Sequence, residues 1–183
     1  MKKINYSIQF YGYWHIGSGL SGGTKADNLV LKDPNNLPFI PGRTIKGLFR
    51  NATQELVAFS SSFINEEIAK KAFGTEGTNG DSSSSIFFSD VQLDRSEAMQ
   101  LISEKLSDNL FEIISSTKIN KQGTAEDKSL RQMEVTIPLT LFGSIQVFEG
   151  EFAELILKSA SMIKYLGLNR NRGLGRCEIK ILS

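Results

Sequence analysis

The sequence predicts an α+β fold of the ferredoxin-like, split β-α-β type, and three observations carry that prediction. Over the first ten positions Ile4, Tyr6, Ile8 and Phe10 alternate with Asn5, Ser7 and Gln9, the period of a half-buried strand. Two stretches show helical spacing instead: Ile45, Leu48, Phe49, Ala52 and Leu56, then Phe152, Leu155, Ile156, Ala160 and Ile163. Strand-like segments stand between and after them, giving the order β–α–β–insertion–β–α–β. A length of 183 residues suits a single domain, 1–183, of this kind.

Each element follows in order. The first strand runs into a glycine-rich loop, Trp14-His15-Ile16-Gly17-Ser18-Gly19-Leu20-Ser21-Gly22-Gly23. Residues 25–31 read as a short strand, and Asp33-Pro34-Asn35-Asn36 as a turn in which Pro34 fixes φ. Residues 37–42 are extended, because a residue before proline is pushed out of the α region. The first helix spans 44–59 and keeps Arg43, Lys46 and Arg50 opposite its apolar face. A short helix over 65–73 precedes a polar, low-complexity loop over 74–85. A strand is expected over 86–93, a helix over 96–106 and an apolar patch over 110–114. Residues 117–132 are polar and charged between β-prone segments, which reads as an excursion from the sheet, a long hairpin or a flap. Val135, Ile137, Leu139 and Leu141, then Ile145 and Val147, alternate as strand. A helix over 152–166 and a strand over 177–182 close the chain. No internal repeat or domain linker is evident.

Composition narrows the function classes. Twenty-one Lys+Arg against twenty Asp+Glu leave a net charge of +1, so any basic surface comes from local clustering. Cys177 is the sole cysteine, which excludes an intrachain disulfide and a multi-cysteine metal site. No run reaches transmembrane length and the N-terminus lacks an apolar core, so a cytoplasmic location and no membrane partner are expected.

The loop Gly167-Leu168-Asn169-Arg170-Asn171-Arg172-Gly173-Leu174-Gly175-Arg176 packs three glycines and three arginines into ten residues. Glycine permits positive φ and close backbone approach, and the arginine fork suits phosphate oxygens. A turn with solvated arginines explains the same composition. The loop follows a helix instead of opening one, so it is no dinucleotide fingerprint, and no phosphate-binding G-x-x-x-x-G-K-[ST] occurs. Asp27, by composition alone, is a turn residue. His15, the only histidine, is open to a structural role or to general acid/base chemistry.

Three pieces together resemble one family. They are His15-Ile16-Gly17-Ser18-Gly19, then Asp27-Asn28-Leu29-Val30 leading to Leu37-Pro38-Phe39-Ile40-Pro41-Gly42-Arg43-Thr44-Ile45-Lys46-Gly47-Leu48-Phe49-Arg50, and the closing loop. They are similar to the RAMP (repeat-associated mysterious protein) superfamily of CRISPR systems, above all to the backbone subunit of type III effector complexes. The resemblance implies an RRM-type ferredoxin-like core bound along a guide (CRISPR) RNA, in an antiviral ribonucleoprotein containing other effector subunits and copies of itself. It implies RNA contacts at His15, Gly17, Ser18, Arg43, Lys46, Arg50, Arg170, Arg172, Gly173 and Gly175. It implies that 117–132, with Lys118, Lys121 and Arg131, is a thumb intruding on the guide–target duplex. It also implies that Asp27 holds Mg²⁺ or Mn²⁺ and cleaves target RNA. Two alternatives stand beside this: a stand-alone endoribonuclease that processes guide precursors, and an inactive RNA-binding capping subunit.

Overall fold

The computed structural model describes residues 1–23, 26–59, 66–74, 84–149 and 152–182. Along the chain these form β1 (Lys2–Phe10), α1 (Gly42–Phe59), α2 (Glu66–Phe73), β2 (Ile86–Phe88), α3 (Arg95–Ser103), β3 (Phe111–Ser116), β4 (Arg131–Thr136), β5 (Thr140–Val147), α4 (Phe152–Met162) and β6 (Cys177–Leu182). Four strands make an antiparallel sheet in the order β2-β5-β1-β6, and β3 and β4 make a separate two-stranded one.

The alternation read in the sequence becomes two chemically different sheet faces. Ile4, Tyr6, Ile8 and Phe10 point to the side that α1 and α4 cover, and all four are buried. Tyr6 meets Phe49 of α1 edge-on, with ring centroids 6.4 Å apart. The two helices touch through a buried hydroxyl pair, Thr53 Oγ1 and Ser159 Oγ at 2.8 Å. Opposite these, Asn5, Gln9, Phe142, Gln146, Glu178 and Lys180 are exposed or half-buried. Gly143 stands in register with Tyr6, and a Cβ there would lie 2.8 Å from the Tyr6 hydroxyl. Among the described residues no helix is long and apolar enough to cross a membrane.

The expected elements shift in five places. The strand over 86–93 breaks after Phe88. Three residues, Ser89, Asp90 and Val91, stand opposite two, Gly143 and Ser144, between the Phe88↔Ile145 and Gln92↔Phe142 pairs, which is a bulge. The bulge frees the Asp90 carboxylate to accept the Gly42 N–H at 2.7 Å, at the start of α1. The alternation from Val135 to Leu141 spans two strands, because Pro138 offers no N–H to a ladder. Residues 26–31 form isolated bridges, Gly17↔Val30 and Asn28↔Met133, rather than a strand. Both later helices stop early, α3 at Ser103 and α4 at Met162. Most of the low-complexity loop, 75–83, lies outside the described residues.

Candidate nucleic-acid interface

β4 is the spine of the candidate site. One of its edges pairs with β3, which makes the polar excursion a hairpin with its tip at 117–130. Inside that tip Ile119 bridges Ala125, and Lys118 pairs with Glu126 at 2.9 Å, while Lys121 is exposed. The other edge of β4 holds the loop around Asp27. The Asp27 N–H donates to the Gln132 carbonyl at 2.8 Å, and the Gln132 N–H donates back to Asp27 Oδ2 at 2.8 Å. One residue on, the Glu134 N–H donates to Asn28 O at 3.0 Å. The Glu134 carboxylate accepts the Val30 N–H at 3.0 Å and pairs with Lys32 at 2.9 Å. Asp27 therefore sits exposed at the base of the hairpin, with one carboxylate oxygen already held.

The closing loop joins the same spine. Leu168 N–H donates to His15 O at 3.0 Å, and Gly175 N–H donates to Tyr13 O at 2.8 Å. The Asn169 amide reaches the Met133 sulfur at 3.6 Å. Gly167 has φ +100, and a Cβ there would collide with the His15 carbonyl oxygen, so the two loops lie backbone to backbone. Arg170 and Arg172 project from a 3₁₀ turn and Arg131 from the first position of β4, all exposed. Among the described residues none of the three has a carboxylate partner. Ser18 and Gly17 line the adjoining loop, with the Ser18 hydroxyl donating to Leu29 O at 3.0 Å.

The structure does not gather every expected site residue here. His15 is fully buried between the first loop and β4. Its Nδ1 donates to Glu134 O at 2.6 Å, tying the first loop to β4. Arg50 is half-buried and donates to the Phe73 carbonyl at 3.0 Å, joining α1 to the end of α2. Arg43 and Lys46 line a cleft of about 560 Å³ beside β2, with Phe87, Gln146 and Phe148. That is the far edge of the sheet from β6, where the closing loop joins. Burial, and secondarily the Arg50 charge, lowers the Lys46 pKa. Gly173 is exposed at φ +87 with open space around it, whereas Gly175 is buried at φ +73 against the Leu166 carbonyl. Trp14 is core: it stacks on Phe10 at 4.4 Å and donates from Nε1 to Ile137 O at 2.9 Å.

Sequence reasoning missed Gln132, Glu134 and Asn169 as anchors. Gln132 lies 105 residues from Asp27, and no local pattern announces such a partner.

An antiparallel sheet under two helices, with a polar hairpin and two glycine-bearing loops gathered at one end, defines an α+β module with a cationic cradle. Residues 8–178 match the RAMP superfamily, and the chain belongs to that family. A search of curated proteins finds no match. Among solved structures, the chain is similar to one described as the type III-B Cmr-beta bound to cognate target RNA, by cryo-EM. The TM-score is 0.76 at 13% identity, covering 99% of this chain and 97% of that one. A cryo-EM structure of type III-B Cmr-beta in the apo state aligns with TM-score 0.73 at 14% identity, with the same coverages of 99% and 97%. At these identities the likeness is one of fold.

Proposed function

We propose that this chain is a guide-RNA-binding backbone subunit of a type III CRISPR interference complex, and that it cleaves target RNA at Asp27 with a divalent metal. In this reading the sheet order, with α1 and α4 as crossovers, is the ferredoxin-like core of one domain. The β3–β4 hairpin is the thumb, and copies of the chain and other effector subunits share one guide in the cytoplasm. The observation that carries the reading is the exposed Asp27 carboxylate, pinned by Gln132 at the hairpin base next to Arg131, with Arg170 and Arg172 exposed on the closing loop and none of the three arginines paired to a carboxylate among the described residues. Membership of the RAMP superfamily and the fold shared with a target-bound Cmr-beta structure support it.

The residues present fit a loosely held ion. No group of three or more His, Cys, Asp or Glu among the described residues could hold a metal. Magnesium, however, is commonly bound through one or two carboxylates plus phosphate oxygens and waters. Asp27 would be the protein ligand, with RNA and water completing the shell. When bound, the ion stabilises negative charge on the phosphoryl oxygens. The chain itself does the positioning. Gln132 fixes one carboxylate oxygen so that the other faces the RNA, and Arg131, Arg170 and Arg172 neutralise flanking phosphates. The nucleophile is the 2′-hydroxyl of the target, which attacks the adjacent phosphorus as the P–O5′ bond breaks, leaving a 2′,3′-cyclic phosphate and a 5′-hydroxyl that takes up the proton.

The test is Asp27→Ala in the assembled complex. Target binding persists, cleavage is lost, and EDTA abolishes wild-type cutting. A target with one 2′-deoxy nucleotide at the scissile position binds and resists. Undiminished cleavage by Asp27→Ala refutes the assignment. A wild-type complex that binds target and cuts nothing with Mg²⁺ or Mn²⁺ leaves an inactive backbone or capping subunit as the reading.

A further inference from the structure

The open face of the sheet continues past its β1–β6 pairing into a second cleft, separate from the Asp27 cradle. The ladder runs Gln9↔Glu178 and Phe10↔Cys177, and the following pair is held by the Tyr11 N–H donating to Arg176 O at 2.9 Å. On its other side Arg176 bridges Tyr165. Residues directly opposite one another in antiparallel pairs project to the same side. Arg176 is thus flanked by two tyrosines, separated by two strand spacings or roughly 10 Å.

These three residues, with Lys164, Cys177 and Glu178, line a cleft of about 590 Å³. Tyr11 is 50% and Tyr165 43% exposed. The Arg176 guanidinium carbon lies 6.0 Å from the Tyr11 ring centre. The carboxylate lining the cleft is engaged: Glu178 accepts the Tyr11 hydroxyl and pairs with Lys180 at 3.3 Å. Lys164 and Arg176 have no carboxylate partner among the described residues.

Two presented rings alternating with cations fit a ligand that offers flat apolar faces and phosphate together. An acidic peptide offers the charge without the planar faces, and a duplex hides its base faces in its own stack. Single-stranded nucleic acid offers both, and open sheet faces bearing aromatics stack unpaired bases. We propose that this cleft is a subsite for unpaired RNA, with bases stacked on Tyr11 and Tyr165 and phosphates at Arg176 and Lys164. It stands apart from cleavage at Asp27 and does not rest on it.

The test uses the full chain and a single-stranded RNA octamer carrying 4-thiouridine. Tyr11→Leu and Tyr165→Leu should each weaken binding by roughly tenfold, as loss of a base–aromatic stack does. Tyr165→Phe, which keeps the ring, should bind as wild type does. Arg176→Gln should flatten the dependence of log K on log salt by about 0.7. An abasic octamer should bind wild type and the leucine variants alike, and photo-crosslinks should map to the peptides holding Tyr11 or Tyr165. Asp27→Ala should change none of these readings, so failure of the cleavage assignment would be seen separately. Crosslinks confined to the cradle, or leucine variants that melt normally and bind the octamer unchanged, overturn the subsite. Leucine variants that bind RNA normally but drop out of the assembled complex also overturn it, making the face a protein interface.

Discussion

The two glycines of the closing loop offer a controlled comparison, because each has positive φ but only one is packed. At Gly173, φ is +87 and nothing lies within 4 Å of an added Cβ, so Gly173→Ala pays only the left-handed conformation. That costs about 1–2 kcal/mol. Gly175 has φ +73, and its new Cβ would collide with the Leu166 carbonyl, a backbone atom that cannot rotate away. The displacement also strains two hydrogen bonds, Leu166 N–H to Gly175 O at 2.9 Å and Gly175 N–H to Tyr13 O at 2.8 Å. At about 1 kcal/mol net for each bond, Gly175→Ala totals about 3–4 kcal/mol. For a chain of this size 1 kcal/mol moves Tm by about 2–4 °C. Thermal melts by circular dichroism should therefore show Gly173→Ala lower by a few degrees and Gly175→Ala by about 6–16 °C. RNA affinity should be measured in parallel, below both transitions, where Gly173→Val impairs binding more than it impairs folding. Equal melting losses for the two alanine variants would refute the packing assigned to Gly175.

Four further outcomes follow from other sites. Ser159 donates to Leu155 O at 2.8 Å, so the proton between Thr53 and Ser159 comes from Thr53. Ser159→Ala then orphans a buried donor and costs about 1–3 kcal/mol, more than the 0.5–1.5 kcal/mol of Thr53→Val, as urea denaturation would read. Asp90→Ala removes the carboxylate at the start of α1 and should cost about 1 kcal/mol, read by the same titration. Burial pushes the Cys177 thiol up to about 12, so a thiol reagent at pH 8 should label the native chain slowly and the unfolded chain at once. Because the folded pKa lies above the unfolded one, the stabilisation is whole below the ordinary thiol range near 8.5 and declines as pH rises toward 12.

The strands and helices that face a common core were the legible part of the fold. Ile4, Tyr6, Ile8 and Phe10 announce one buried face through local spacing, and the face of α1 from Ile45 to Ala52 does so with a different period. What escaped depends on partners distant in sequence. The bulge at Ser89–Val91 exists because Asp90 serves α1 and Val91 pairs with Ile40, and neither demand is visible in 86–93. Pro138 did mark the break between β4 and β5, yet the alternation around it masked the change of sheet. At the site, the glycines at 167, 173 and 175 correctly signalled positive φ. The surroundings of the basic stripe were not legible. Helical spacing placed Arg43, Lys46 and Arg50 on one side of α1, but spacing cannot say what lies across from that side. There it is β2 and the end of α2, not the glycine-rich loops. His15 was ambiguous for the same reason, since burial is a property of the assembled loops.

The reciprocal pair between Asp27 and Gln132 has a mechanical corollary. Asp27 hangs from the hairpin's inner arm by two bonds of 2.8 Å, so its carboxylate takes its coordinates from β4 more than from its own loop. The arm is a ruler with the acid fixed to one graduation. Insertions in the tip at 117–130 lie beyond that mark and leave the acid in place. A one-residue slip of β4 against β3 displaces it by about 3.4 Å, further than the length of a hydrogen bond. Tip length and the position of the acid can therefore vary independently, whereas the register of Arg131–Thr136 cannot change without moving the carboxylate.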